Sequence, residues 1–219
     1  MSKHWAKEEV HHSFLVSLVD KILNWVTHNR DHVLGGAVGL IVIVLLGFYF
    51  VSRQQMINEH AWDNLFEAQQ LAAMGKLPEA IQQADAINKD YSRTGASGYA
   101  VLLKGDILFE TGKYKEAADV YQKILDAGRP DKLVPFALSD IASCKQALAD
   151  YSGSIDTANS FMLKYSNNAL AQHVLLTLAI SQELAGKATD SINTYKRIKN
   201  DYPRSYEAEL AGFKLGDKK

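Results

Sequence analysis

One spacing constrains this chain more than any other. Gly75, Gly112, Ala149 and Gly186 recur every 37 residues, a small residue (Ala68, Gly105, Ala142, Ala179) stands seven positions before each, and another (Ala80, Ala117, Ser154, Ser191) five positions after. Self-similarity at this period means stacked supersecondary units, each too small to bury its apolar face alone. Two helices per unit account for the columns. Small side chains where the helices cross let the backbones approach, and the glycine between them supplies the positive φ that ends the first helix. Pro78, just after Gly75 and Lys76, is placed to open the second helix of the first unit. Two apolar columns are predicted to be core: Ile81, Ala118, Ile155 and Ile192, then Ile87, Ile124, Phe161 and Ile198. The predicted hairpins cover residues 61–97, 98–134, 135–171 and 172–204, and the amphipathic piece 205–215 offers a capping helix.

A second constraint lies ahead of the array. Residues 33–51, VLGGAVGLIVIVLLGFYFV, carry no charge. At the helical rise they measure roughly 29 Å, the thickness of a bilayer's hydrocarbon core. The run is longer and later than a cleaved signal's apolar core and continues into Ser52, Arg53 and Gln54, so a retained anchor is expected. Lys3, Lys7, Lys21 and Arg30 precede it, whereas Arg53 alone follows closely, which predicts a cytoplasmic N-terminus and an outward-facing tail. In a bacterium with two membranes, that is a single pass of the inner (plasma) membrane with the repeats in the periplasm. From residue 48 to residue 74 there is neither Gly nor Pro, so residues 52–60 are expected to form a helical stalk leading into the domain at 61–219. Gly35 and Gly39 make a G-x-x-x-G step, a candidate transmembrane contact face for a membrane partner or a second copy of the chain, although glycines are common in membrane helices generally.

The head, residues 1–32, spaces Phe14, Leu15, Leu18, Val19, Ile22, Trp25 and Val26 as one face of an amphipathic helix. Beside a span, and with Trp5 and Trp25 suited to the headgroup region, it either lies in the cytoplasmic membrane interface or docks a partner. His4, His11, His12, His28 and His32 cluster here. His28 and His32 share a helix face, but His28 is followed by Asn29 where a metalloprotease helix needs glutamate, so no metal site is predicted.

A net charge of −1 without blocks of like charge argues against nucleic acid as a partner. The lone Cys144 is expected to be a small packed residue. No G-x-S-x-G, phosphate-cradling glycine loop or H-E-x-x-H is present, and Asp106, Glu110, Asp140 and Glu183 are expected on solvated helix faces. No catalytic residue, cofactor or enzyme activity is predicted.

The words of the repeat then carry a resemblance. FETGKYKEAADVYQKIL around Gly112, with Tyr121 and Tyr195 four residues after the small residue, is similar to the tetratricopeptide repeat, although the period exceeds that family's and its closing proline survives only as Pro203. The expected fold is therefore all-α: one transmembrane helix, an α-solenoid of four tetratricopeptide-like hairpins, and a C-terminal capping helix. The short head, single span and outward repeats together resemble the YfgM-type ancillary subunits of the bacterial Sec translocon. That resemblance implies an inner-membrane protein that meets translocon channel subunits, periplasmic chaperones or translocating chains; an envelope-assembly or cell-division scaffold is the alternative. By analogy with the repeat, the first helices line a concave groove, with Trp62, Tyr99, Phe136 and His173 in one column and Leu65, Leu102 and Leu176 (beside Ser139) in the next. The Lys, Arg and Asn of a carboxylate clamp are absent from these columns, so an apolar segment or helix of a partner is the expected guest. The competing expectation is that these residues pack one hairpin on the next.

Overall fold

The computed structural model describes residues 5–216, with side chains described at residue 14 and from residue 16 onward. Lys3 and His4, and the side chains of Trp5, Lys7, His11, His12 and Leu15, lie outside the described residues. The chain divides into two compact units, Met1–Gln55 and Met56–Lys219.

In the first unit, α1 (Trp5–His28) gives way at Asn29 to α2 (Arg30–Ala73), whose later part belongs to the second unit. His28 thus closes α1 while His32 lies in the first turn of α2. Among the described residues, α2 alone is long and apolar enough to cross a membrane, and none of its apolar stretch is buried within the chain. Phe14, Leu18, Ile22 and Trp25 on α1 are exposed.

The second unit is a run of antiparallel hairpins. The end of α2 packs with α3 (Leu77–Asp90); α4 (Gly95–Glu110) pairs with α5 (Tyr114–Ala127), α6 (Val134–Ala147) with α7 (Tyr151–Tyr165), and α8 (Ala171–Leu184) with α9 (Ala188–Asp201). A short 3₁₀ turn, Asp131–Leu133, precedes α6, and α10 (Tyr206–Lys214) closes on α9 and α8. Each first helix stops in the same way. At the end of α4 the Gly112 N–H donates to the Phe109 carbonyl (3.0 Å) and the Lys113 N–H to the Leu108 carbonyl (2.9 Å), satisfying carbonyls that the helix leaves open. The same pair of bonds forms around Gly75, Ala149 and Gly186. All four residues have positive φ: 76°, 77° and 75° at Gly75, Gly112 and Gly186, and 59° at Ala149. Pro78 and Pro135 sit in the first turns of α3 and α6, where a missing N–H costs nothing.

The small columns lie where the paired helices cross. Ala68, Gly105, Ala142 and Ala179 are buried, as are Ala80, Ala117, Ser154 and Ser191. The Ser154 hydroxyl donates to the Ala142 carbonyl at 2.8 Å, which ties the two columns together in the third hairpin. The column Ile87, Ile124, Phe161 and Ile198 is fully buried. The other predicted core column is not uniform: Ile155 is buried, Ile81 and Ala118 are half-buried, and Ile192 is 44% exposed. Ile81 packs on the core of the following hairpin, whereas the helix that follows Ile192's own among the described residues is the short α10. The positions that close each hairpin are instead Ala84, Tyr121, Ala158 and Tyr195, all buried.

Candidate partner-binding groove

First helices of three successive hairpins enclose a cavity of about 450 Å³. Asp106, Phe109 and Glu110 reach it from α4, Asp140, Ser143, Gln146 and Ala147 from α6, and His173, Leu176, Thr177 and Ile180 from α8, with the Tyr121 ring of α5 beside them. The lining shifts along the helices, from the last turns of α4 to the first three turns of α8. Solenoid hairpins turn slightly relative to one another, so a groove crosses them obliquely.

This drift separates the residues that the repeat columns group together. His173 and Leu176 line the cavity. Trp62, 41% exposed, instead packs against half-buried Tyr99 with ring centroids 5.4 Å apart and planes tilted by 52°, away from that cavity. Phe136 is 43% exposed on α6, Leu102 packs against the core of the second and third hairpins, and Leu65 is only 2% exposed in the core beneath α3 and α4. Leu65 is therefore a core residue, one of a buried cluster with Ala61, Ala68, Ala84, Ile87, Ala96 and Ala100. Gly35 and Gly39 are exposed on α2, with nothing within 4 Å of a Cβ built on either.

Sequence reasoning missed the polar heart of the cavity. Asp106 and Asp140 are not on solvated faces: both are largely shielded, and both line the groove. The Tyr121 hydroxyl donates to Asp106 Oδ1 at 2.7 Å. Burial holds the Asp106 carboxyl above its usual range, with the Tyr121 bond working the other way and the Glu110 charge adding to the rise. Burial, and then the Asp106 charge, push Asp140 up to about 7. Behind it, burial and the Asp140 charge push the Cys144 thiol up to about 12, which makes it a packed, unreactive residue. Burial and the Asp106 bond raise the Tyr121 phenol as well. The sequence signal for this was slight: a Tyr sixteen residues after a Gly that precedes an Asp.

Two further polar links brace the groove. Gln146 Nε2 donates to the Thr177 carbonyl (3.0 Å) and to Ser181 Oγ (2.9 Å), and Ser181 Oγ lies 2.9 Å from Ser154 Oγ, joining the third hairpin to the fourth. Glu183 is exposed; it accepts the Tyr195 hydroxyl at 2.7 Å and Lys214 Nζ at 3.0 Å, and these bonds lower its carboxyl. Among the described residues no group of three His, Cys, Asp or Glu side chains converges as a metal site.

The geometry is that of a repeat scaffold with a groove, a class of fold that binds other proteins or peptides. Comparison with known proteins gives the repeat its name: the tetratricopeptide repeat family matches residues 99–127 and 173–205. The fold is an all-α tetratricopeptide-like solenoid carrying a protein–protein interaction surface, and no catalytic family is among the matches. No curated protein matches the chain. Among solved structures, the apo form of RapI is similar at 12% identity and a TM-score of 0.67 over 73% of this chain, which spans about half (48%) of RapI. A tetratricopeptide repeat protein from Parabacteroides merdae is similar at 16% identity and a TM-score of 0.59, covering 71% of this chain and 58% of that one. YrrB, described as a TPR protein with an unusual peptide-binding site, is similar at 14% identity and a TM-score of 0.51, covering 71% of this chain and 78% of that one.

Proposed function

We propose that this protein is a membrane-anchored interaction module and, more specifically, a YfgM-type ancillary subunit of a bacterial Sec translocon. Residues 33–51 cross the inner (plasma) membrane once, residues 1–32 stay cytoplasmic with α1 in the membrane interface, 52–60 form the stalk, and the repeats at 61–219 work in the periplasm. There they engage emerging chains, periplasmic chaperones or channel subunits through the groove of α4, α6 and α8. The observation that carries this reading is the presence, on one chain, of an unburied apolar helix of membrane length and a groove-bearing solenoid. The excess of Lys and Arg before the span supports the orientation. YrrB's peptide-binding site supports peptide as the guest, since the two folds are alike. Gly35 and Gly39, exposed on α2, are the proposed membrane contact face toward the channel or a second copy. Crosslinking in native membranes followed by mass spectrometry tests the assignment. The channel subunits and periplasmic chaperones are the expected catch; recovery of cell-division or outer-membrane assembly proteins alone would transfer the protein to that process.

A further inference from the structure

We infer that the groove selects segments in which a lysine or arginine is set among apolar residues, the cationic end seating against Asp140 and Asp106. The inference rests on the reading of this cavity as the partner-binding groove. Phe109, Leu176 and Ile180 supply apolar lining on both sides of the two carboxylates. Among the described residues no Lys or Arg lines the cavity, so charge complementarity calls for a cation from outside. Among the described residues Asp140 meets no hydrogen-bond donor, and Asp106 meets only the Tyr121 hydroxyl.

The titratable groups around Asp140 are Asp106 and Glu110 of α4, Tyr121 of α5, Cys144 of its own helix and His173 of α8. Two shielded carboxylates repel each other's ionisation, and an incoming ammonium or guanidinium relieves that repulsion while gaining charge-assisted hydrogen bonds. A lysine or arginine stem is itself apolar, so it can lie along Phe109 and Leu176 while its head reaches the acids. Because the cation pairs with ionised carboxylates, its advantage shrinks as the groove is acidified below neutrality.

Calorimetric titration of the full chain in detergent micelles tests this, with titration into empty micelles subtracted. The probes are acetylated and amidated Gly-Leu-Leu-Lys-Leu-Leu-Gly and the same peptide with norleucine in place of lysine. The lysine peptide is expected to bind about tenfold more tightly, the worth of one charged hydrogen bond. Asp140→Asn and, separately, Asp106→Asn should bring the two peptides to equal affinity, with far-UV circular dichroism confirming that both variants fold. Equal affinity of the two peptides for the unaltered chain overturns the cation preference and leaves the groove reading standing. An advantage that survives both substitutions also overturns it, and binding of neither peptide overturns the groove reading as well.

Discussion

The Tyr121 hydroxyl and Asp106 Oδ1, 2.7 Å apart, join the second helix of one hairpin to its first at the edge of the groove. Tyr121→Phe keeps the buried ring and removes only the donor. It should cost about 1–3 kcal/mol, the penalty for leaving a shielded carboxylate short of a partner. Thermal melting of the chain in detergent measures it, and a change within error would show that water replaces the hydroxyl.

Asp140 makes the stability of the repeat domain depend on pH. Its folded-state pKa, pushed up to about 7, lies above the unfolded value, so the native state holds the proton more tightly. The contribution is full below the unfolded pKa and is lost as pH rises through the folded one. Asp140→Asn should therefore raise the melting temperature at about pH 8 and change it little at about pH 4, with an intermediate effect between. A uniform shift at both values would mean that packing, not ionisation, sets the effect.

Ala149 holds a φ of 59° where the other repeats use glycine. A Cβ in the left-handed region costs roughly 1–2 kcal/mol, offset in part by the extra freedom glycine has when unfolded. Ala149→Gly should stabilise the domain by about 1 kcal/mol, and Gly112→Ala should destabilise it by a similar amount. Paired melting curves check both signs.

At Gly105 a Cβ would enter the space of the Tyr121 ring. Gly105→Ala should cost about 1–3 kcal/mol through overpacking. The near-UV circular dichroism should change with it, since the Tyr121 ring must move.

Cys144 is fully buried, its thiol pushed up to about 12. Iodoacetamide should leave it unmodified at neutral pH until denaturant is added, as mass spectrometry would read directly. Prompt alkylation of the folded chain would show that the third hairpin opens readily.

Much of this architecture can be read before any coordinates exist, because it is written in residue types with few alternatives. Glycine at a left-handed helix end and alanine at a helix crossing are demanded by sterics, and they recur at a fixed spacing, so the hairpins and their turns are legible. Ile87, Ile124, Phe161 and Ile198 are legible as core for the same reason. The groove is harder. Its lining depends on the small rotation between hairpins, which no column of identical positions records, so His173 and Leu176 face the cavity while Leu65, in the same column as Leu176, is core. The shielding of Asp106 and Asp140 is likewise a property of neighbouring helices, and an aspartate on a helix face carries no mark of what will cover it.

The oblique course of the groove has a consequence for how such a protein can change. In the proposed binding role, each of the three hairpins that line the groove would meet a guest at a different height, α4 with its last turns and α8 with its first, so those hairpins share a shape without sharing a task. Exchanging two of them would conserve the stack and scramble the inner surface. Duplicating one would lengthen the scaffold without lengthening the message it recognises. The residues that would meet a guest therefore lie along a diagonal, at unequal depths, while those that hold the stack together lie along the columns, so the surface can be altered with little change to the fold.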